Sequence, residues 1–366
     1  MKAIGVMLTI SLVASARPCY NDVDTNLIEL KDNLNVTLAV AGRFTIYPPS
    51  YYKKRIVIQS QILKKDPNNL DAYDNIAVAY DRIGDSTNAL KWIREKRKHL
   101  SKAPKEHLYS TEANEGTILI VRWIRGHRPG DVSDAIESEK RIAKALEINP
   151  DAHFGREFAQ LYSTRAMILC GKDPNWMKQF TPTLLHIANK NKVDHKKLRF
   201  GIAGMMVLGA AWKMPPLIQA IALLVPEDQQ IAALCMTRLE MMEAEESGIK
   251  AKDYPIRIEE KPNPLERGVI TQLLVNAEKF QDKRNSWIET KVAAGKHPDM
   301  SPDFWTGFVD VPPVPESEYV VKRKKNMLQS ETGRYQLVVL LGGGSLIGAV
   351  IGYYIYRRRR LSRHGF

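Results

Sequence analysis

Residues 337–356 read LVVLLGGGSLIGAVIGYYIY, twenty residues without a charge. A run of that length and polarity spans a bilayer as a helix, with every backbone group bonded inside the segment. Five glycines argue against an ordinary buried core helix. Tyr353, Tyr354 and Tyr356 gather at one end, as in an interfacial aromatic belt, and four arginines, 357–360, follow at once. The sequence predicts a transmembrane helix over 335–356 and a basic tail over 357–366. Gly344, Gly348 and Gly352 recur every four residues on one face, where they let two backbones approach. A homodimer through this helix is one expectation that follows, and contact with membrane lipid is another.

The opposite end begins Met1-Lys2, continues with an apolar run over 3–13, and reaches Ala14-Ser15-Ala16. A charged start, a short hydrophobic stretch and a small-x-small site make residues 1–16 a secretory signal peptide. The positive-inside rule alone nearly ties. Lys322, Arg323, Lys324, Lys325 and Arg334 stand on one flank of the span, and the five arginines of the tail on the other. The signal peptide decides, placing the body outside the cytoplasm and the tail within it.

Net charge then loses most of its force as a clue. The chain has 54 Lys+Arg against 41 Asp+Glu, a formal +13. Six of the basic residues lie in the two ends, so the body is left at a mild +7. That argues against a nucleic-acid partner. Three cysteines in 366 residues exclude a disulfide scaffold. Cys170 and Cys235 are either a disulfide or two buried thiols, and Cys19 is left over.

The body is helical in pattern. Residues 17–50 form an N-terminal helical segment closed by Tyr47-Pro48-Pro49-Ser50. From residue 51 the apolar spacing is that of a helix, and Asp66-Pro67-Asn68-Asn69 is a turn. Tyr73, Ile76, Ala77, Tyr80 and Ile83 share one helix face. Gly84-Asp85 turns the chain, and Ala89, Leu90 and Ile93 begin a second helix. The order aromatic, aliphatic, small, aromatic, turn glycine, small, with Pro67 ahead of it, resembles a tetratricopeptide repeat (TPR), a helix–turn–helix unit of about 34 residues.

A second unit covers 109–150, with Gly116 and Ala145 in the small positions and Leu146-Glu147-Ile148-Asn149-Pro150 as its close. It departs from the pattern at Glu115, where an aliphatic residue is expected. A longer turn around 125–132 is the other departure. Residues 51–67 look like the second helix of a preceding, degenerate unit. The resemblance covers roughly 40–150, and 51–150 are taken as TPR-like repeats. Further helices are expected at 152–169, 182–190, 196–212, 216–224, 226–246 and 264–294. Residues 151–295 then form an irregular helical repeat or cap region. Lys213 and Pro215-Pro216 cut the apolar run 201–225 into pieces too short to span a membrane, so these are buried helices. Residues 296–334 are a Pro-rich and basic juxtamembrane linker. Phe304, Trp305 and Phe308 there serve either as a strap docked on the helices or as an exposed motif for a partner. The expected fold class is all-α: a TPR-like superhelical array with an irregular C-terminal region and a transmembrane helix.

No catalytic constellation emerges. The eight histidines form no H-E-x-x-H, and there is no C-x-x-C, P-loop or G-x-S-x-G. No cofactor, no metal and no enzymatic activity are expected. The resemblance implies binding instead. Stacked helix pairs curve, and the first helix of each pair lines the concave side. Asp71, Asp74, Asn75, Asp81 and Arg82 would line it on the first unit, and Asn114 on the second. Asn75 and Asn114 occupy matching places, where the family often uses an amide to hold an extended peptide backbone. Three aspartates against one arginine favour a neutral or basic ligand segment. The expected function is a membrane-anchored protein-binding scaffold facing the periplasm or outside. The bacterial preference rests on the flavour of the family alone. The alternatives are an envelope assembly factor or chaperone for unfolded clients, and an enzyme with an undetected site in 151–295.

Overall fold

In the computed structural model, residues 21–22, 24, 35–126, 129–150, 155–209, 211–245, 248–259, 262 and 264–311 are described. The expected signal peptide, transmembrane helix, glycine face, basic tail and Cys19 lie outside them. Among the described residues no strand occurs, and no helix is long and apolar enough to cross a membrane.

Among the described residues, twelve α-helices have both ends defined: α1 (Val36–Ala41), α2 (Pro49–Lys65), α3 (Leu70–Arg82), α4 (Ser86–Arg97), α5 (Lys105–Arg125), α6 (Ser133–Ile148), α7 (Arg156–Cys170), α8 (Trp176–Lys190), α9 (His195–Gly209), α10 (Pro215–Leu224), α11 (Gln229–Glu245) and α12 (Pro264–Ala293). Local chemistry sets their ends. Pro49 starts α2, where its missing N–H is not needed. Asn69 Oδ1 accepts from Ala72 N at 3.0 Å and caps α3. Asp85 Oδ1 accepts from Asn88 N at 2.9 Å and caps α4. Between them Gly84 turns at φ +96°, a region an L side chain rarely adopts.

Short connections stack the helices. From α2 to α8 each packs against the next, and α3 also touches α5. Beyond that, α9 packs on α7, while α10 packs on α8, α9 and α11. Nearly every residue of α10 is buried, which accounts for its lack of a polar face. The array then comes back to its start. α12 packs against α2, α1 and α11, and α1 packs against α9 and α11.

The repeat signature has a packing basis. Ala77 and Ala89 are fully buried where α3 meets α4. A Cβ on Gly116 would lie 2.8 Å from Ile142 Cγ1 of α6, so that position must be small. Glu115 is buried and held by Arg97 and Arg141 from neighbouring helices, which explains an acid at an aliphatic place. The extra residues of this unit lengthen α5, which runs on to Arg125, as well as the turn after it.

Two helix expectations shift. α8 begins at Trp176 and runs through Pro182, which was expected to start it. Pro182 faces solvent, while Phe180, Leu184 and Ala188 are fully buried, so packing outweighs the lost hydrogen bond. α9 stops at Gly209, and Ala211–Lys213 is a separate 3-10 turn. Cys170 and Cys235 are free and buried. Phe304 is buried against Tyr51, Tyr52 and Ile288, so this aromatic of the linker docks on the helices. It does so from a series of turns, not an extended strand.

Candidate functional site

The inner face of α3 and α5 is where a peptide was expected. Of its residues only Asp71, in the first turn of α3, is exposed. Asn75 is buried. Asp74 is buried too, and the ammonium of Lys96, fully enclosed on α4, sits on its Oδ2. Lys96 Nζ also donates to Ser110 Oγ at 2.8 Å, and Ser110 donates to Asp74 Oδ2 at 2.9 Å. Asp81 is fully buried and pairs with Arg125 Nη1 at 3.0 Å, while Ser86 Oγ donates to it. Arg82 Nη2 donates to Leu208 O at 2.7 Å, satisfying a carbonyl in the last turn of α9. The acidity that suggested a basic ligand is thus largely neutralised inside the fold, by Lys96 and Arg125.

Asn114 bonds the backbone of a segment of its own chain. Its Oδ1 accepts from the backbone N–H of Asn21 at 2.7 Å, and its Nδ2 donates to the backbone carbonyl of Asn21 at 3.0 Å. The second Nδ2 hydrogen goes to Asp74 Oδ1 at 2.9 Å, which orients the amide. Deeper along α5, Thr117 and Gln160 bond each other at 3.0 Å.

The same N-terminal segment is gripped again by α2. Asp24 receives Arg55 Nη1 at 2.5 Å on one oxygen and Arg55 Nη2 at 3.0 Å on the other. Tyr51 Oη donates to Asp24 Oδ1 at 2.8 Å, and Asp22 Oδ2 lies 3.5 Å from Arg55 Nη1. The guanidinium lies 4.7 Å above the Tyr51 ring. On its far side Arg55 donates through Nη2 and Nε to Asp299, at 2.7 and 3.0 Å, and Gln59 Nε2 donates there at 2.8 Å. His297 stacks on Tyr51 with ring centroids 4.3 Å apart, and its Nε2–H donates to Tyr51 O at 3.2 Å.

Burial shifts these groups. It raises the Asp24 carboxyl above the usual range, against the opposing pull of Arg55. Burial also acts to raise Asp299, but the His297 hydrogen bond and Arg55 outweigh it and hold that carboxyl well below the usual range. Burial likewise lifts the Tyr51 phenol well above its ordinary value.

The sequence reading passed over Arg55, Tyr51, Lys96, Asp22, Asp24 and Asp299. Tyr51, Arg55 and Gln59 are four residues apart, a buried polar stripe along one face of α2, and in the sequence Arg55 reads as one more charge after Lys53 and Lys54. That stripe was the available signal. Asp71, Asp74 and His107 bring one ligand atom each within 4.8 Å of one another. Lys96 already occupies Asp74, so this trio carries no metal assignment.

Comparisons with protein-family models, with curated proteins and with solved structures find no match.

Proposed function

We propose that this chain is a membrane-anchored, TPR-type scaffold that binds an extended polypeptide segment on the inner face of α3 and α5. One observation carries the reading: Asn114 engages both the N–H and the C=O of a single residue, Asn21. An amide used this way recognises backbone and not side chain, which is what holding an extended chain requires. The order of small and aromatic positions in α3–α4 supports the TPR type. The apolar run 337–356 and the N-terminal signal pattern support an anchored body outside the cytoplasm, with the Gly344, Gly348 and Gly352 face available for pairing.

The test is a library of displayed peptides panned against the full chain in detergent, and against an Asp22→Ala/Asp24→Ala chain whose resident segment is loosened. Peptides enriched on either bait and lost when Asn114→Ala is added are the expected result. If no enriched peptide depends on Asn114, the reading is wrong.

A further inference from the structure

The segment that occupies the inner face also indicates what else fits there. We propose that Asn114, Tyr51 and Arg55 form a recognition slot for an acidic segment of another polypeptide, and that Asn21, Asp22 and Asp24 are its resident stand-in. This rests on reading the inner face as a peptide site, and it names the class of ligand.

The slot has two parts with different tasks. Asn114 fixes register, because it touches only the backbone of Asn21. Arg55 reads charge, one and three residues further on, at Asp22 and Asp24. Tyr51 adds a hydroxyl donor to the same carboxylate of Asp24. A backbone clamp followed at a set distance by a guanidinium selects carboxylates at those two positions. A lysine or arginine there would face a buried like charge. The inner-face aspartates would not attract it, since Lys96 and Arg125 hold them.

One observation marks Asn21, Asp22 and Asp24 as replaceable: the clamp on Asn21 is made to main-chain atoms, which any polypeptide supplies. Burial also raises the Asp24 carboxyl, so the resident gives up part of the ion pair's benefit to desolvation. If the segment left without replacement, Arg55 and Asn114 would lose buried partners. That opposes an empty slot and favours exchange for an equivalent ligand.

The test uses a fluorescent synthetic peptide with the sequence of residues 20–26 and a version with Asn in place of both aspartates. Anisotropy is read on the full chain in detergent, wild type and Asp22→Ala/Asp24→Ala. The expected result is that the double variant binds the acidic peptide about tenfold or more tighter than the neutral one. The wild type, with its slot filled, binds the acidic peptide about tenfold or more weaker than the variant does. Adding Asn114→Ala abolishes binding. Charge is changed on the peptide, so a folding defect cannot imitate selectivity. If circular dichroism shows the double variant unfolded, Asp24→Asn replaces it with nearly unchanged shape. Equal affinity for the two peptides overturns the acidic assignment. No binding of either peptide overturns it as well. In both cases the general reading survives if panned peptides still depend on Asn114, and fails if they do not.

Discussion

At the scale of single residues, the inner face is organised by charges that have left water in pairs. Lys96 is the extreme case, an ammonium with no exposed surface whose partners are Asp74 and Ser110. Removing one member of such a pair strands the other, which costs about 3–5 kcal/mol. Lys96→Met is expected to lower unfolding free energy by about that much, measured by denaturant titration. Lys96→Met/Asp74→Leu should recover a large part of the loss, because a buried ion pair replaced by apolar groups is often close to neutral. Full recovery is not expected, since Asn114 and Ser110 also bond Asp74. A double variant as unstable as the single one would show that the lysine acts through packing alone. The pairing explains why the aspartates misled. Asp74 and Asp81 carry the same letters as solvated acids, and their partners stand 22 and 44 residues away.

At the scale of helices, close approach is bounded by glycine. A Cβ on Gly201 of α9 would lie 2.5 Å from the carbonyl oxygen of Gly155 and 2.7 Å from Ala159 Cβ of α7. On Gly116 of α5 it would meet the Ile142 side chain at 2.8 and 2.9 Å. Alanine is the better helix former by about 1 kcal/mol, so each substitution has a favourable part. Overpacking of this kind costs about 1–3 kcal/mol, and a side chain can yield where a backbone oxygen cannot. Gly201→Ala is expected to be the more destabilising of the two, with Gly116→Ala near neutral or mildly destabilising, both read from denaturant midpoints. The reverse order would mean that α9 can slide on α7. Elements of this size were largely legible in the sequence. Apolar spacing and Gly or Pro punctuation located α3, α4, α10, α11 and α12 to within a few residues. Pro182 inside α8 was not legible, because only the tertiary packing of Phe180 and Leu184 decides that a helix continues through a proline. The return of α12 to α2 was not legible either, since helical periodicity says which face is buried but not against what.

At the scale of the whole molecule, one side chain joins the two ends of the described chain. Arg55 holds Asp24 near the beginning and Asp299 near the end, with His297 and Phe304 seating the C-terminal segment on α2. The two carboxylates respond to acid in opposite senses. Asp299 titrates below its ordinary value, so it stabilises the fold fully above about 3.9, the unfolded value, and that contribution is lost as pH falls further. Asp24 titrates above its ordinary value, so the folded state takes up its proton more readily than the unfolded state does. Its contribution therefore improves as pH drops through that raised value. Asp299→Asn is expected to cost about 3 kcal/mol at neutral pH, with the deficit constant down to about pH 5 and shrinking below 4. Asp24→Asn should behave otherwise: acidification from neutral shifts the balance toward the wild type. Denaturant titrations of the three chains at a series of pH values check both trends. If both gaps close together in acid, Arg55 is not discriminating between the ends. If they separate, the C-terminal seat resists acid on its own, and the resident segment is a distinct ligand of the same arginine.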